Sequence, residues 1–190
     1  MTHESKHNGP GTLAWQIVEN TNESTARCYQ CGKCSAGCPL ASEMDITPSQ
    51  VLRLLQWELP DFDEKVLRSF SIWLCLTCET CIARCPQEVD IPKIMDYLRG
   101  ESIKQGKVTP KARDIIAFHK AFLDSIQQTG RLYEIGLIAD YKARSLHLFK
   151  DLLLAPKMFG KGKLGLFPEM IKDRAHLKNI FRRTIKKEES

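Results

Sequence analysis

Two cysteine runs constrain this chain more than any other feature: "CYQCGKCSAGCP" at residues 28–39 and "CLTCETCIARCP" at residues 75–86. Each reads C-x2-C-x2-C-x3-C-P, and between them they hold all 8 cysteines of the 190-residue chain. The intervening residues differ, so the repeated spacing has a cause in the cysteines themselves. Whatever fold forms must bring the thiols of each run around a common partner.

Three partners compete. Disulfides rarely persist in a reducing cytoplasm, and "MTHESKHNGPG" at the N-terminus is polar where a secretory signal would be apolar. Zinc ribbons separate two C-x2-C pairs by a longer loop, whereas here three cysteines follow one another in uninterrupted steps of three. The spacing is instead that of bacterial-type [4Fe-4S] ligation. A cubane presents four irons at the corners of a tetrahedron, and a tight loop with a cysteine at every third residue wraps three of them. The fourth corner faces away from that loop.

In two-cluster proteins of this kind the fourth cysteine of each run crosses to the other cluster. The expected ligand sets are therefore Cys28, Cys31, Cys34 and Cys85 for one cluster, and Cys75, Cys78, Cys81 and Cys38 for the second. Pro39 and Pro86, fixed in φ and lacking an N–H, end the loops. Tyr29, Trp73, Leu74, Leu76 and Ile82 are candidates for excluding water from the thiolates. Lys33 and Arg84 lie inside the loops, either favouring the reduced cluster or simply solvated.

The rest of the chain reads as helical. "LAWQIVENT" is a short helix or strand before the first motif. Thr47-Pro48 starts a helix with Thr as N-cap and Pro in the first turn, Pro60 stops it, and Asp61 begins another with Phe62, Val66, Leu67 and Phe70 on one face. Asp90 caps a helix with the stripe Ile91, Ile94, Met95 and Leu98, ending at Gly106. Thr109-Pro110 opens the longest pattern, in which Ile115, Ile116, His119, Phe122, Leu123 and Ile126 share a face up to Gly130. Helical character continues to Pro156, a Gly- and Lys-rich connector follows, and Met170, Ile171, Leu177, Ile180, Phe181 and Ile185 mark a last amphipathic helix.

The resulting expectation is a mainly α fold: a tail at 1–12, an alpha-helical ferredoxin-like domain with two [4Fe-4S] clusters at 13–130, and a basic helical docking extension at 131–190. The net charge of +5 is unevenly spread, because residues 141–190 carry 13 Lys and Arg against 5 Asp and Glu. Docking on a partner protein, binding of nucleic acid or anionic membrane, and a solvated face are the three readings of that arm. Leu152–Leu154, Phe159, Leu166 and Phe167 favour docking.

Catalytic motifs are missing. There is no dinucleotide fingerprint, no phosphate-binding loop and no nucleophile context, and His3, His7, His119, His147 and His176 are isolated from one another. Two one-electron centres without substrate chemistry imply a conduit between an electron donor and an electron acceptor. No apolar run approaches the ~18 residues of a membrane span, so the expected location is the cytoplasm.

On "RCYQCGKCSAGCPL", "TPSQVLRLLQ" and "SIWLCLTCETCIARCPQEVDIPKIMDYLRG" the chain resembles the small iron-sulfur subunit of the heterodisulfide reductases of methanogenic archaea, over about residues 12 to 130. Related modules occur in succinate dehydrogenase, glycerol-3-phosphate dehydrogenase and sulfate-reducer complexes. Those carry a [2Fe-2S] domain, cysteine-rich domains or a membrane domain that this sequence lacks. The resemblance implies an oxidoreductase complex in which this non-catalytic subunit passes electrons from a larger, flavin-bearing iron-sulfur subunit to a catalytic subunit with unusual iron-sulfur clusters. That catalytic subunit reduces the coenzyme M–coenzyme B heterodisulfide in methanogenesis. The resemblance also implies flavin-based electron bifurcation, with a hydrogenase or formate dehydrogenase feeding the flavin. An iron-sulfur protein that binds nucleic acid is the competing class, and it lacks a recognisable nucleic-acid fold.

Overall fold

The computed structural model describes residues 11–145, 170–172 and 174–188, and among them there are helices and turns but no strand. The chain divides into two compact units, Met1–Ala112 and Arg113–Ser190. The sequence pattern extends the cluster domain to 130, whereas the division falls one helix earlier.

In the first unit α1 (Leu13–Thr21) is a helix, not a strand, because its buried residues Leu13, Ile17 and Thr21 recur every fourth position. The Thr12 hydroxyl accepts from the Trp15 N–H at 3.2 Å, and Asn22 closes the helix in the left-handed region. Two short helices follow the second cysteine of each run, α2 (Lys33–Ala36) and, later, α6 (Thr80–Ala83). Helix α3 (Pro48–Gln56) starts as expected at Thr47-Pro48, where Gln50 Oε1 accepts from the Thr47 N–H at 2.8 Å. It buries Val51, Leu52, Leu54 and Leu55.

One boundary differs from expectation. Pro60 does not stop α3, which ends at Gln56, but opens α4 (Pro60–Leu67). A proline fits the first helical turn because an N–H there has no intrahelical acceptor. The break before it is made by Glu58, at φ +50°.

Helix α5 (Ser71–Leu74) leads into the second motif, and α7 (Ile91–Lys104) follows it. Asp90 caps α7, accepting from the Lys93 N–H at 3.0 Å. Its stripe Ile91, Ile94, Met95 and Leu98 is fully buried, and Gly106, at φ +63°, lies just beyond its end. Helix α7 is the hub of the unit, packing on α1, α4, α5 and α6, while α3 packs on α1, α2 and α4. Helices α2 and α6 face each other at one end of this core.

Polar ties hold that end in place. Asp45 accepts from the N–H groups of Ile46, Phe70 and Ser71 at 3.0, 2.9 and 3.0 Å and from the Ser71 hydroxyl at 2.5 Å. It joins the segment after the first motif to the start of α5. Burial alone would raise the Asp45 carboxyl, but these donors hold it below its ordinary value. Asp45→Ala is expected to lower the urea-unfolding free energy by about 2–3 kcal/mol at pH 7, the cost of stranding several donors to one carboxylate. Because the native pKa is depressed, this contribution is full above the unfolded value near 3.9 and is lost only as pH falls through the lower native value. A wild-type-like urea midpoint for the variant at pH 7 would show the ties to be redundant.

In the second unit α8 (Arg113–Thr129) begins after a 3₁₀ turn at Pro110–Ala112, so the Thr109-Pro110 device nucleates the turn and not the α-helix itself. Helix α8 packs on α9 (Glu134–Ser145), with Arg144 bonded to Asp124 at 2.6 Å and to Asp140 at 2.9 Å. Gly130 ends α8 at φ +83°, and a Cβ there would sit 2.2 Å from Ile171. Helix α10 (Arg174–Glu188) forms within the last amphipathic pattern, starting after Met170 and Ile171, and it packs on α8. Among the described residues of this unit few are buried. Of the apolar face expected on α8, Leu123 is exposed, as are Phe118, Ile138 and Ile180. The tail, the helical stretch to Pro156 and the Gly- and Lys-rich connector lie outside the described residues, except for Gly11, Thr12 and the part up to Ser145.

Candidate iron-sulfur site

The two cysteine runs adopt the same backbone. In the first, Gln30 and Gly32 stand on either side of Cys31 at φ +64° and +75°. In the second, Thr77 and Glu79 stand on either side of Cys78 at φ +51° and +60°. Left-handed residues flanking the middle cysteine reverse the chain's curl twice within four positions, which turns a C-x2-C-x2-C segment into a cup. Glycine takes this conformation freely, but Gln30, Glu79 and above all β-branched Thr77 do so at a cost. Such outliers persist where the surroundings over-determine them, and they cluster at functional sites.

Each run then leaves the cup by the same turn. Cys38-Pro39 and Cys85-Pro86 put proline second in a β-turn, closed by Ala41 N–H to Cys38 O at 3.2 Å and Glu88 N–H to Cys85 O at 3.1 Å. Both turns lie just past α2 and α6, and those helices pack together. The fourth cysteine of each run is thereby carried to the other run.

The thiols sort accordingly. One small pocket of about 20 Å³, partly open to solvent, is lined by Cys75, Cys78 and Cys81 together with Cys38. Its other walls are largely apolar: Pro39, Leu40, Met44, Leu74, Ile91 and Met95 among them. Cys28, Cys31, Cys34 and Cys85 gather on the other side. Burial is the main cause that raises the Cys28 thiol, and the charges of Cys85 and Cys31 add to it. Cys34 is raised by burial and then by Cys28 among the other thiols. In the pocket, burial pushes Cys81 up to about 11, helped by Cys75. Cys75 is raised by burial, with Arg99 opposing and Cys38 adding to the rise. Cys78 is the exception: the Thr80 side chain, 3.5 Å away, lowers it.

This donor set fits iron-sulfur clusters. Bound iron supplies the positive charge that turns such thiols into thiolates. Apolar walls keep water from the sulfurs, and N–H donors stabilise the charge on them. The Val89 N–H points at Cys85 Sγ from 3.4 Å, and Gln30 Nε2 at Cys28 Sγ from 3.4 Å. Arg99, on α7, donates through Nε to Ile72 O at 2.5 Å and through Nη2 to Cys75 O, fixing the chain where the second run begins. Among the described residues no three His, Cys, Asp or Glu side chains form a site for a single metal ion.

Several expectations for the surroundings change. Tyr29 is 58% exposed; Leu74 and Leu76 both line the pocket, Leu76 while 63% exposed, and Trp73 packs against the core. Lys33 and Arg84 are exposed, Arg84 lying across Gly37, where a Cβ would come within 2.5 Å of it. Gln30, Gln56, Asp45 and Arg99 were not anticipated. Gln30 lies inside the first run as a spacer between ligands, while Gln56, Asp45 and Arg99 reach the two runs and their flanks only in the folded chain. His119 and His176 are exposed on α8 and α10, while His3, His7 and His147 lie outside the described residues.

Residues 24–89, the stretch containing both runs, match the 4Fe-4S dicluster domain family. Among curated proteins, the second form of the CoB–CoM heterodisulfide reductase iron-sulfur C subunit of Methanocaldococcus jannaschii is 32% identical over 63% of this chain and 62% of its own length. Over this part the chain is similar to heterodisulfide reductase C subunits. The iron-sulfur C subunit of Methanopyrus kandleri is 34% identical over 50% of this chain and 48% of its own length. The C subunit of the ferredoxin:CoB–CoM heterodisulfide reductase of Methanosarcina acetivorans is 38% identical over 42% and 31%. The chain thus spans between 31% and 62% of the length of these relatives. Among the described residues no helix is long and apolar enough to cross a membrane.

Proposed function

We propose that this chain is the electron-transfer subunit of a heterodisulfide reductase, holding two [4Fe-4S] clusters with interleaved ligands. Cys28, Cys31, Cys34 and Cys85 hold one; Cys75, Cys78, Cys81 and Cys38 hold the other. The observation that carries this reading is the presence of Cys38 in one pocket wall with three cysteines of the other run. When bound, each cluster takes up and releases one electron.

The protein's own part is to position and insulate. The paired cups set the two ligand groups side by side across the α2–α6 contact, close enough for electron exchange. Met95, Ile91 and Leu74 exclude water on the inner side. The exposed Cys31 and Cys78 mark where each site comes nearest the surface. These are the natural points of electron entry and exit, serving a flavin-bearing subunit on one side and, on the other, a catalytic subunit that reduces the coenzyme M–coenzyme B heterodisulfide. A hydrogenase or formate dehydrogenase upstream would feed the flavin, which bifurcates electrons in the cytoplasm.

Anaerobic purification with associated proteins tests this. The expected result is a brown complex containing a flavoprotein and a second iron-sulfur protein, with iron and acid-labile sulfide at two cubanes per copy of this chain. Zinc without sulfide would overturn the cofactor, and a different set of partners would overturn the placement.

The second unit is read as the docking element, because its large apolar residues Phe118, Leu123, Ile138 and Ile180 remain exposed beside many basic side chains. Removing the second unit, residues 113–190, is expected to release the chain from its partners while leaving its iron content unchanged. Retained assembly in size-exclusion chromatography would count against docking.

A further inference from the structure

The first cysteine run carries a side-chain amide on sulfur; in the second, the side-chain partner of a thiol is the Thr80 hydroxyl at Cys78. Gln56, on α3, places Nε2 2.9 Å from Thr25 O and 2.6 Å from Cys28 O. Backbone carbonyls only accept, so the Gln56 amide must turn its NH2 towards them. Its Oε1 then faces Gln30 and can only accept, at 3.2 Å from Gln30 Nε2. The orientation of Gln30 follows in turn: its NH2 is fixed by Gln56, and the second N–H of that group is free for Cys28 Sγ at 3.4 Å. A chain of one-way acceptors, running from two carbonyls through two amides, thus aims a donor at sulfur.

Thr77 occupies the equivalent position of the second run, with the same left-handed backbone. Its hydroxyl donates to the Leu76 carbonyl at 2.7 Å. The strained conformation is therefore common to both runs, and the amide on sulfur belongs to one. The conformation of Gln30 serves the cup; the length of its side chain serves the sulfur.

We propose that Gln30 tunes the potential of the cluster at Cys28, donating a hydrogen bond to the Cys28 thiolate, with Gln56 as the residue that positions it. A donor to a ligand sulfur withdraws charge and favours the reduced, more negative cluster, so the bond raises the reduction potential. This inference rests on the two-cluster reading above. It goes beyond that reading by assigning a residue that is not itself a ligand to the control of one site and not the other.

The test uses the anaerobically purified full-length protein and its Gln30→Asn variant. Asparagine tolerates the left-handed backbone but is one methylene too short to hold both partners. In potentiometric titrations followed by electron paramagnetic resonance, one of the two midpoints is expected to fall by a tenfold change in its reduction equilibrium, 59 mV for one electron. The other midpoint should stay, with iron and sulfide at wild-type levels. Two unmoved midpoints, or two that move together, overturn the proposal. If the variant loses iron, the wild-type protein decides: grown with amide-15N glutamine and reduced, it should show a hyperfine coupling from nitrogen to one cluster. Absence of that coupling overturns the proposal as well. A wild-type protein that contains no iron and sulfide instead removes the two-cluster reading, which the metal analysis reveals before any titration.

Discussion

Cys38→Ser is expected to lose the cluster of the second run and spare that of the first. Iron and sulfide should fall towards half, because a serine hydroxyl is a poor substitute for thiolate at iron in a soft-ligand site. The informative readout is which spectrum remains. Cys38→Ser should leave the same electron paramagnetic resonance signal as Cys78→Ser, and Cys85→Ser the same as Cys31→Ser. The physical ground is the packing of α2 on α6, which carries each fourth cysteine across to the other run, and the pocket wall in which Cys38 stands with Cys75, Cys78 and Cys81. The opposite pairing of spectra would mean that each run closes its own site and that the crossover is wrong.

Leu98→Ala is expected to destabilise the protein by about 3–4 kcal/mol, in the upper range for a leucine removed from a core that cannot collapse around the gap. Leu98 is 0% exposed on α7, the helix that touches α1, α4, α5 and α6, so no single neighbour can move in without abandoning another contact. Against a typical total of about 5–15 kcal/mol, such a loss is large. It should appear as a lower urea midpoint in the cluster-loaded protein and as faster bleaching of its visible absorbance, since ligand geometry depends on this core. The control is Leu123→Ala: that side chain is 52% exposed, and the change should cost less than about 0.5 kcal/mol. Equal losses at the two positions would show that α7 is not the hub.

These two variants separate the two kinds of information in the chain. The cysteine spacing was legible without a structure because ligation chemistry imposes it locally: three thiols around one cubane require short, regular steps. The caps at Asp90 and Thr47 were legible for a similar reason, each being settled within one helical turn. So was the stripe Ile91, Ile94, Met95 and Leu98, whose spacing is that of a helix with one buried face. Pro60 was misread because proline both ends and starts helices, and the deciding break lies at Glu58, whose left-handed backbone no residue type announced.

The rest needed tertiary structure. Gln30, Thr77 and Glu79 take conformations that glycine would have signalled, but only Gly32 does so in the sequence. Asp45 reaches Ser71 across 26 positions, and Gln56 reaches Cys28 across 28, distances over which no local pattern operates. The eight cysteines and their spacing determined the cofactor chemistry, because coordination is a local demand written into neighbouring residues. Which thiols share a wall, and which side chain meets a sulfur, was decided only when α2 met α6 and α3 delivered Gln56, because those meetings depend on how the whole core packs.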